Sequence, residues 1–318
     1  AGKLVPRGDA SVLGENGAKP IWVDLVFPTK DEDVAVEQAL GISIPTRAEM
    51  REIEVSNRLY YENGAYYMTA LVGYSIDSGS PEFATITFVL AGNTLVTVRY
   101  SEPKSFPLYI ARTERGDAAC GTAVAILIGL VETLIQRKAD LIEQLQDDVN
   151  RIGGVIFDTK GGQQTRAKRL DVALRSIGRL GETASRAEES ASSIDRMLLY
   201  LGQALRTRGD DVREIELAKV VQRDVRALIE QLEHLTERVT FLLQATLGMI
   251  SIEQNQIIKL FSVMAVMLMP PTLVASIYGM NFKHMPELEW TLGYPLALIA
   301  MVLAAVVPYV HFKRRGWL

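Results

Sequence analysis

The sequence predicts an α+β domain followed by long helices, one of which continues as a coiled-coil stalk into a two-helix transmembrane hairpin. Three observations carry this. Strand and hairpin signals are confined to residues 21 to 100, and from Thr122 onward the pattern is helical. Two apolar runs lie near the C-terminus. Ile257 to Ile277 is 21 residues with one charge, Lys259, and Tyr294 to Phe312 is 19 residues with no acidic or basic side chain except His311. A helix of about 20 apolar residues crosses a bilayer, and the 16 residues between the runs leave room only for a tight loop.

Composition agrees with a large water-soluble part joined to a small membrane part: 48% of the 318 residues are hydrophobic and 23% charged. The net charge of −4 offers no basic footprint for nucleic acid. A single cysteine, Cys120, excludes an intrachain disulfide framework and a thiolate metal cluster. There is no phosphate-cradling P-loop and no His-Glu-x-x-His, and His234, His284 and His311 are far apart. No Ser/His/Asp arrangement can be nominated, so neither an enzyme nor a nucleotide-driven pump is expected. No apolar run near the N-terminus would serve as a signal peptide. Leu4-Val5-Pro6-Arg7-Gly8 resembles a thrombin-cleavage linker, so residues 1 to 8 are either native or in part vector-derived.

Ile21 to Val26 reads as a strand ended by Pro28-Thr29, and Asp31 to Leu40, acidic in its first turn, as a helix. Thr46-Arg47-Ala48-Glu49 fits a capping box opening a second helix through about Val55. Asn63-Gly64 between two Tyr-rich runs is a strong hairpin signal, with the second strand running on to Ile76. Phe83 to Leu90 and Leu95 to Tyr100 are two further strands joined at Gly92-Asn93, which gives a mainly antiparallel sheet.

Beyond Pro107, Thr122 to Asn150 is helical, Gly153-Gly154 and Gly161-Gly162 bracket a break, and Thr165 to Arg206 is a second long helix. Gly209-Asp210-Asp211 turns the chain and caps the next helix. No proline then interrupts until Pro270-Pro271, a stretch of roughly 90 Å as a helix. Leu217, Val221, Leu228, Leu232, Leu235, Val239 and Leu242 form a coiled-coil seam along it. The expected divisions are a flexible segment 1–20, the α+β domain 21–120, antiparallel helices 121–207, stalk and first span 208–280, an external loop 281–293, the second span 294–312 and a basic tail 313–318.

Lys313-Arg314-Arg315 follows the second span directly, whereas Lys283 to Glu289 holds one Lys against two Glu. The positive-inside rule places the basic end in the cytoplasm. Two spans put the N-terminal domain there too and turn the loop outward.

One stripe of the first span is unlike the rest. Gly248, Ser251, Asn255, Ile258, Ser262, Ala265, Met269, Thr272, Ser276 and Gly279 alternate in steps of three and four, and almost all are small or weakly polar. Such a seam either lets membrane helices approach closely or lines water. Two helices per chain cannot enclose a pore, so the second alternative requires a homo-oligomer in the lipid bilayer. Carboxylates are absent from the stripe. A small divalent cation gives up its water reluctantly, so the neutral oxygens of Asn281, Asn255, Thr272 and the serines suit hydrogen bonding to a hydrated ion. Ile258, Phe261 and Met269 are candidates for a gate that closes by dewetting. Glu287 and Glu289 could concentrate cations outside, and Lys259 with Lys313, Arg314 and Arg315 forms a basic collar at the cytoplasmic face.

Tyr278-Gly279-Met280-Asn281, followed by Met285-Pro286-Glu287-Leu288 and a span ending Phe312-Lys313-Arg314-Arg315-Gly316-Trp317-Leu318, resembles the CorA family of magnesium channels. The likeness is specific from about Ile250 to Leu318 and is one of general architecture between Trp22 and Leu205. It implies a pentameric funnel in the inner or plasma membrane. Such a channel conducts Mg2+, with Co2+ and Ni2+ as further cargoes, and is closed by cytosolic Mg2+ bound between subunits. It also implies a filter of Gly279, Met280 and Asn281, with Asn255, Ile258, Phe261, Met269 and Thr272 at pore-lining places. Two positions depart from the pattern: Ile258 replaces a Met common at one constriction, and Gln244 replaces an acidic residue found lower in some relatives' pores. Zinc-transporting members of the same superfamily are the near alternative, and a membrane-anchored coiled-coil scaffold without a pore is the distant one.

Overall fold

The computed structural model describes residues 20–52, 54–76, 81–158, 163–281, 283 and 285–316. The linker-like residues 1–8 and the Gly161-Gly162 pair lie outside them. The described chain divides into two compact units, one of residues 1–154 and 175–242 and the other of residues 155–174 and 243–318.

The first unit is built on a five-stranded sheet. Its strands are β1 (Trp22–Val26), β2 (Leu59–Glu62), β3 (Ala65–Tyr74), β4 (Glu82–Ala91) and β5 (Thr94–Arg99), in the order β1-β5-β4-β3-β2. Only the β1–β5 pair is parallel. The β2–β3 hairpin turns at Asn63 (φ 49°) and Gly64 (φ 81°), the positive-φ pair that a two-residue turn needs. Alternation sorts the side chains into two faces. Ala65, Tyr67, Val89, Val96 and Val98 pack on one side with Val36 of α1 (Lys30–Leu40). This helix opens with a full capping box between Thr29 and Glu32 and ends at Gly41 in the left-handed region.

On the other face Trp22 meets Phe106 and Tyr109 of α3 (Ser105–Arg115), a helix that sequence patterning missed. Its Pro107 stands in the first turn, where a missing N–H costs nothing. Arg99 crosses the same face. Its Nη2 donates to Asp24 Oδ2 at 2.8 Å while the guanidinium lies 4.5 Å from the Phe106 ring centre. The expected helix from Thr46 is not formed. Thr46 and Glu49 do cap each other, yet only a single 3-10 turn, Glu49–Arg51, follows before Glu52 extends, and a four-residue helix α2 (Val55–Arg58) stands beyond it. A cap satisfies the first donors but does not supply the apolar stripe that propagates a helix.

Three long helices follow: α4 (Ala123–Phe157), α5 (Gln163–Arg208) and α6 (Val212–Tyr278). The break expected between Gly153-Gly154 and Gly161-Gly162 lies there, α4 ending at Phe157 and α5 starting at Gln163, but α4 runs past the expected Asn150 and through both Gly153 and Gly154. A Cβ on Gly153 would lie 3.6 Å from Leu242, an ordinary contact. The seam of α6 from Val221 to Leu242 is buried within this chain, except that its expected first member, Leu217, is 51% exposed. Gly129 is the tightest glycine: a Cβ there would lie 2.5 Å from the ring of Tyr109, whose hydroxyl is fixed by donating to Ala119 O at 2.8 Å. Gly129→Ala is therefore expected to cost about 1–3 kcal/mol by overpacking. Gly153→Ala, with ordinary contact distance, should leave thermal unfolding of the purified protein unchanged or slightly raised.

β2 pairs with only the first four residues of β3. The second half of β3 would be an open edge, which invites aggregation. α5 covers it: Leu71 N donates to Ser193 Oγ at 2.9 Å, and Ser190 Oγ donates to Leu71 O at 2.6 Å.

Candidate functional site

The second unit contains α6 from Leu243 onward and α7 (Gly293–Arg314), joined through a 3-10 turn, Pro286–Glu289. Both helices carry an 18-residue window of mean hydropathy 2.0, of which 6% in α6 and 0% in α7 is buried. A core helix of a water-soluble protein would be covered. These two present apolar surface outward, as helices do when their solvent is hydrocarbon.

Every member of the stripe from Asn255 to Ser276 lies on α6 and is exposed, with Ile258, Phe261 and Met269 each at least 60% accessible. Ser262 and Ala265 lie between them, while neighbouring Val263 is buried at 1%. The hydroxyls that bond do so to their own helix. Ser251 Oγ donates to Leu247 O at 3.0 Å, and Thr272 Oγ1 to Leu268 O at 2.9 Å and Met269 O at 2.8 Å. With their hydrogens turned inward, these hydroxyls offer lone pairs outward. A hydrated cation presents water hydrogens on its outer surface, so a row of acceptors complements it without displacing its water.

The helix tightens at its end. Gly279 N donates to Ala275 O at 3.0 Å and Met280 N to Ile277 O at 3.2 Å. A Cβ on Gly279 would stand 3.1 Å from that same Ala275 oxygen, so the position favours glycine. Asn281 follows directly, outside the helix and exposed. Glu287 and Glu289 belong to the 3-10 turn, and Glu289 is exposed; the side chain of Glu287 lies outside the description, as do Phe282 and His284. Lys313 and Arg314 form the last turn of α7, with Arg315 just beyond, and Lys259 lies on α6.

Sequence reasoning missed one feature of this unit. Glu253, one turn before the apolar run begins, has a side chain only 7% exposed and faces Arg166 of α5 at 3.2 Å. No local pattern signals a pair so distant in the chain. Among the described residues no group of three or more His, Cys, Asp or Glu side chains is placed to hold a metal ion.

The α+β layer, the long helices and the C-terminal pair of apolar helices define a class of two-span membrane proteins with a large water-soluble part. The chain belongs to the CorA-like Mg2+ transporter protein family, which matches residues 17–314. It is 37% identical over 298 residues to the magnesium transport protein CorA of Escherichia coli K12, covering 94% of this chain and 92% of that one. It is equally similar to the protein of the same name from Salmonella typhimurium. Its fold matches the complete CorA magnesium transporter structure from Methanocaldococcus jannaschii with a TM-score of 0.74 at 18% identity, over 93% of this chain and 91% of that one. Full-length CmaX matches with a TM-score of 0.65 at 16% identity, over 93% and 88%.

Proposed function

We propose that this protein is a Mg2+ transporter acting as an ion channel, not an enzyme: a homo-oligomer, in keeping with its family a pentamer, whose α6 helices line the path. The observation that carries the reading is the exposed acceptor stripe of α6 ending at Asn281, in a chain whose curated relatives are magnesium transport proteins. Hydrated Mg2+ passes a ring of Asn281 side chains held by Gly279 and Met280. It then meets Ser276, Thr272, Met269, Ala265, Ser262, Phe261, Ile258 and Asn255 in turn. Met269, Phe261 and Ile258 form the apolar gate. Glu287 and Glu289 raise the cation concentration outside, and Lys259 with Lys313, Arg314 and Arg315 forms the collar inside.

In this reading residues 21–120 and 121–207 are cytosolic, the stalk and first span run over 208–280, the loop 281–293 is external, and 294–312 returns to the basic tail 313–318. Both ends of the chain are cytoplasmic, and the bilayer is the inner or plasma membrane. Cytosolic Mg2+ closes the channel. Its sites lie between subunits, as the likeness to the family implies.

Inside-negative potential drives entry, since 100 mV is worth about 4.6 kcal/mol for a divalent ion. The test is ion uptake into proteoliposomes carrying a Mg2+-sensitive dye, with Zn2+, Co2+ and Ni2+ dyes in parallel and the potential set by a K+ gradient. Mg2+ influx that rises with negative potential is expected. Zn2+ influx without Mg2+ influx would transfer the protein to the zinc-transporting branch. Flux of neither by folded, oligomeric protein would make it a scaffold.

A further inference from the structure

Lys138 of α4 is 5% exposed and lies where α4, α5 and the covered edge of β3 meet. Its Nζ donates to Ser190 Oγ at 2.6 Å and to Ala187 O at 3.4 Å. Ser190 passes its own hydrogen to Leu71 O. The remaining wall is apolar: Val72, Ile76 and Phe83 from the sheet side, Leu134 and Leu141 from α4, and Ile194 from α5. Among the described residues no carboxylate or second base lines it; Asp77 lies outside them. On α4 the neighbouring Arg137 is paired with Asp140 at 2.7 Å, and on α5 Glu188 is half-buried and Glu189 exposed.

A neutral amine has two N–H donors, and two acceptors receive them here. An ammonium has three, and the third would point into hydrocarbon, where an unmatched charge is costly. Ser190 sits one turn from the Ala187 carbonyl on the same helix, and its hydroxyl is the link between Lys138 and the strand edge. Proton uptake at Nζ therefore favours withdrawal of the side chain to water, away from Ser190 and the contact that holds α5 over β3.

We propose that the junction of Lys138, Ser190 and Leu71 is a proton-operated latch, closed over the β3 edge when Lys138 is neutral and loosened when Lys138 is protonated. Burial lowers the Lys138 ammonium to about 7 from the 10.5 of a free lysine. The open latch, with Lys138 in water, keeps the ordinary value. Between these limits opening takes up a proton, so closure strengthens as pH rises through that window. Below about pH 7 both states hold the proton, and the latch is at its weakest with no further pH dependence. The sensitive window opens at cytosolic pH, so acidification moves the latch toward its loose limit.

Hydrogen exchange of the full-length protein in nanodiscs tests this without reference to transport. The readout is the protection factor of the Leu71 amide, with Val96–Arg99 of the same sheet as internal reference. Between pH 7 and 9 the wild-type protection factor at Leu71 should rise about tenfold per unit relative to the reference. Lys138→Met should abolish the slope at high protection, and Lys138→Arg, charged at every pH used, should abolish it at low protection. A flat wild-type profile overturns the latch whatever the variants do. So does an unchanged slope in Lys138→Met.

Discussion

Mg2+ uptake by Asn281→Ala should fall by about 10²-fold or more while the oligomer stays intact. The carboxamide stands beyond the last turn of α6, exposed, on a backbone tightened at Gly279 and Met280. It can accept from the water of a hydrated ion through its oxygen and donate through its nitrogen, and alanine can do neither. One such hydrogen bond is worth about 0.5–1.5 kcal/mol. Summed over the five subunits of the proposed pentamer, even the lower figure corresponds to about 70-fold in an equilibrium. Asn281→Asp separates hydrogen bonding from charge. It keeps the acceptors but adds one negative charge per subunit, and the resulting ring should bind divalent ions tightly enough to slow their release. Dye-reported initial rates in proteoliposomes, with size-exclusion profiles as the check on assembly, decide the matter. Full uptake by a correctly assembled Asn281→Ala would remove the filter from this position.

Arg166→Met should lower the thermal midpoint in detergent by about 5–10 °C, the consequence of leaving Glu253 charged and enclosed. Removing one member of a buried ion pair costs about 3–5 kcal/mol. The lower end applies here, because Arg166 keeps a quarter of its side-chain surface in contact with solvent. A loss of about 3 kcal/mol corresponds to roughly that shift for a chain of this size. The double variant Arg166→Met/Glu253→Met should recover most of it. In the native pair Glu253 Oε2 is buried with no hydrogen-bond partner among the described residues, so the pair is far from ideally satisfied. An unaltered midpoint in Arg166→Met would mean that water already reaches Glu253.

What could be read from the sequence was what repeats or what has a strong local preference. Asn63-Gly64 fixes its hairpin because few residue pairs accept positive φ twice. The stripe of small and weakly polar residues could be read because its positions keep one helical spacing, and those from Gly248 to Ser276 lie on α6. Local signals misled where tertiary packing overrode them. The first long helix read as ending at Asn150, yet α4 continues through Gly153 and Gly154 to Phe157, because Ile152 and Ile156 extend its buried face. Thr46 and Glu49 capped a helix that had no stripe to bury. α3 was missed because Pro107 reads as an ending when it is also a suitable beginning. The pairings that organise the interior were invisible: Lys138 with Ser190, Arg166 with Glu253, Arg99 with Asp24. Each joins residues far apart in the chain, and nothing in either partner's neighbourhood names the other.

Pro270 and Pro271 lie inside α6, which continues through them to Tyr278. Neither proline has an N–H, so the carbonyls of Val266 and Met267 have no donor four residues on. Those carbonyls fall at the middle of the 21-residue apolar run, as far from either surface as the first span reaches. Hydrocarbon offers a carbonyl nothing, and backbone polar groups at that depth persist only where protein or water answers them. The first span is thus thirsty at its centre. A lone α6 surrounded by acyl chains would leave two dipoles stranded, whereas neighbouring helices or water in the proposed oligomer would answer them. The same two residues that remove hydrogen bonds from the helix are a reason for it to seek company.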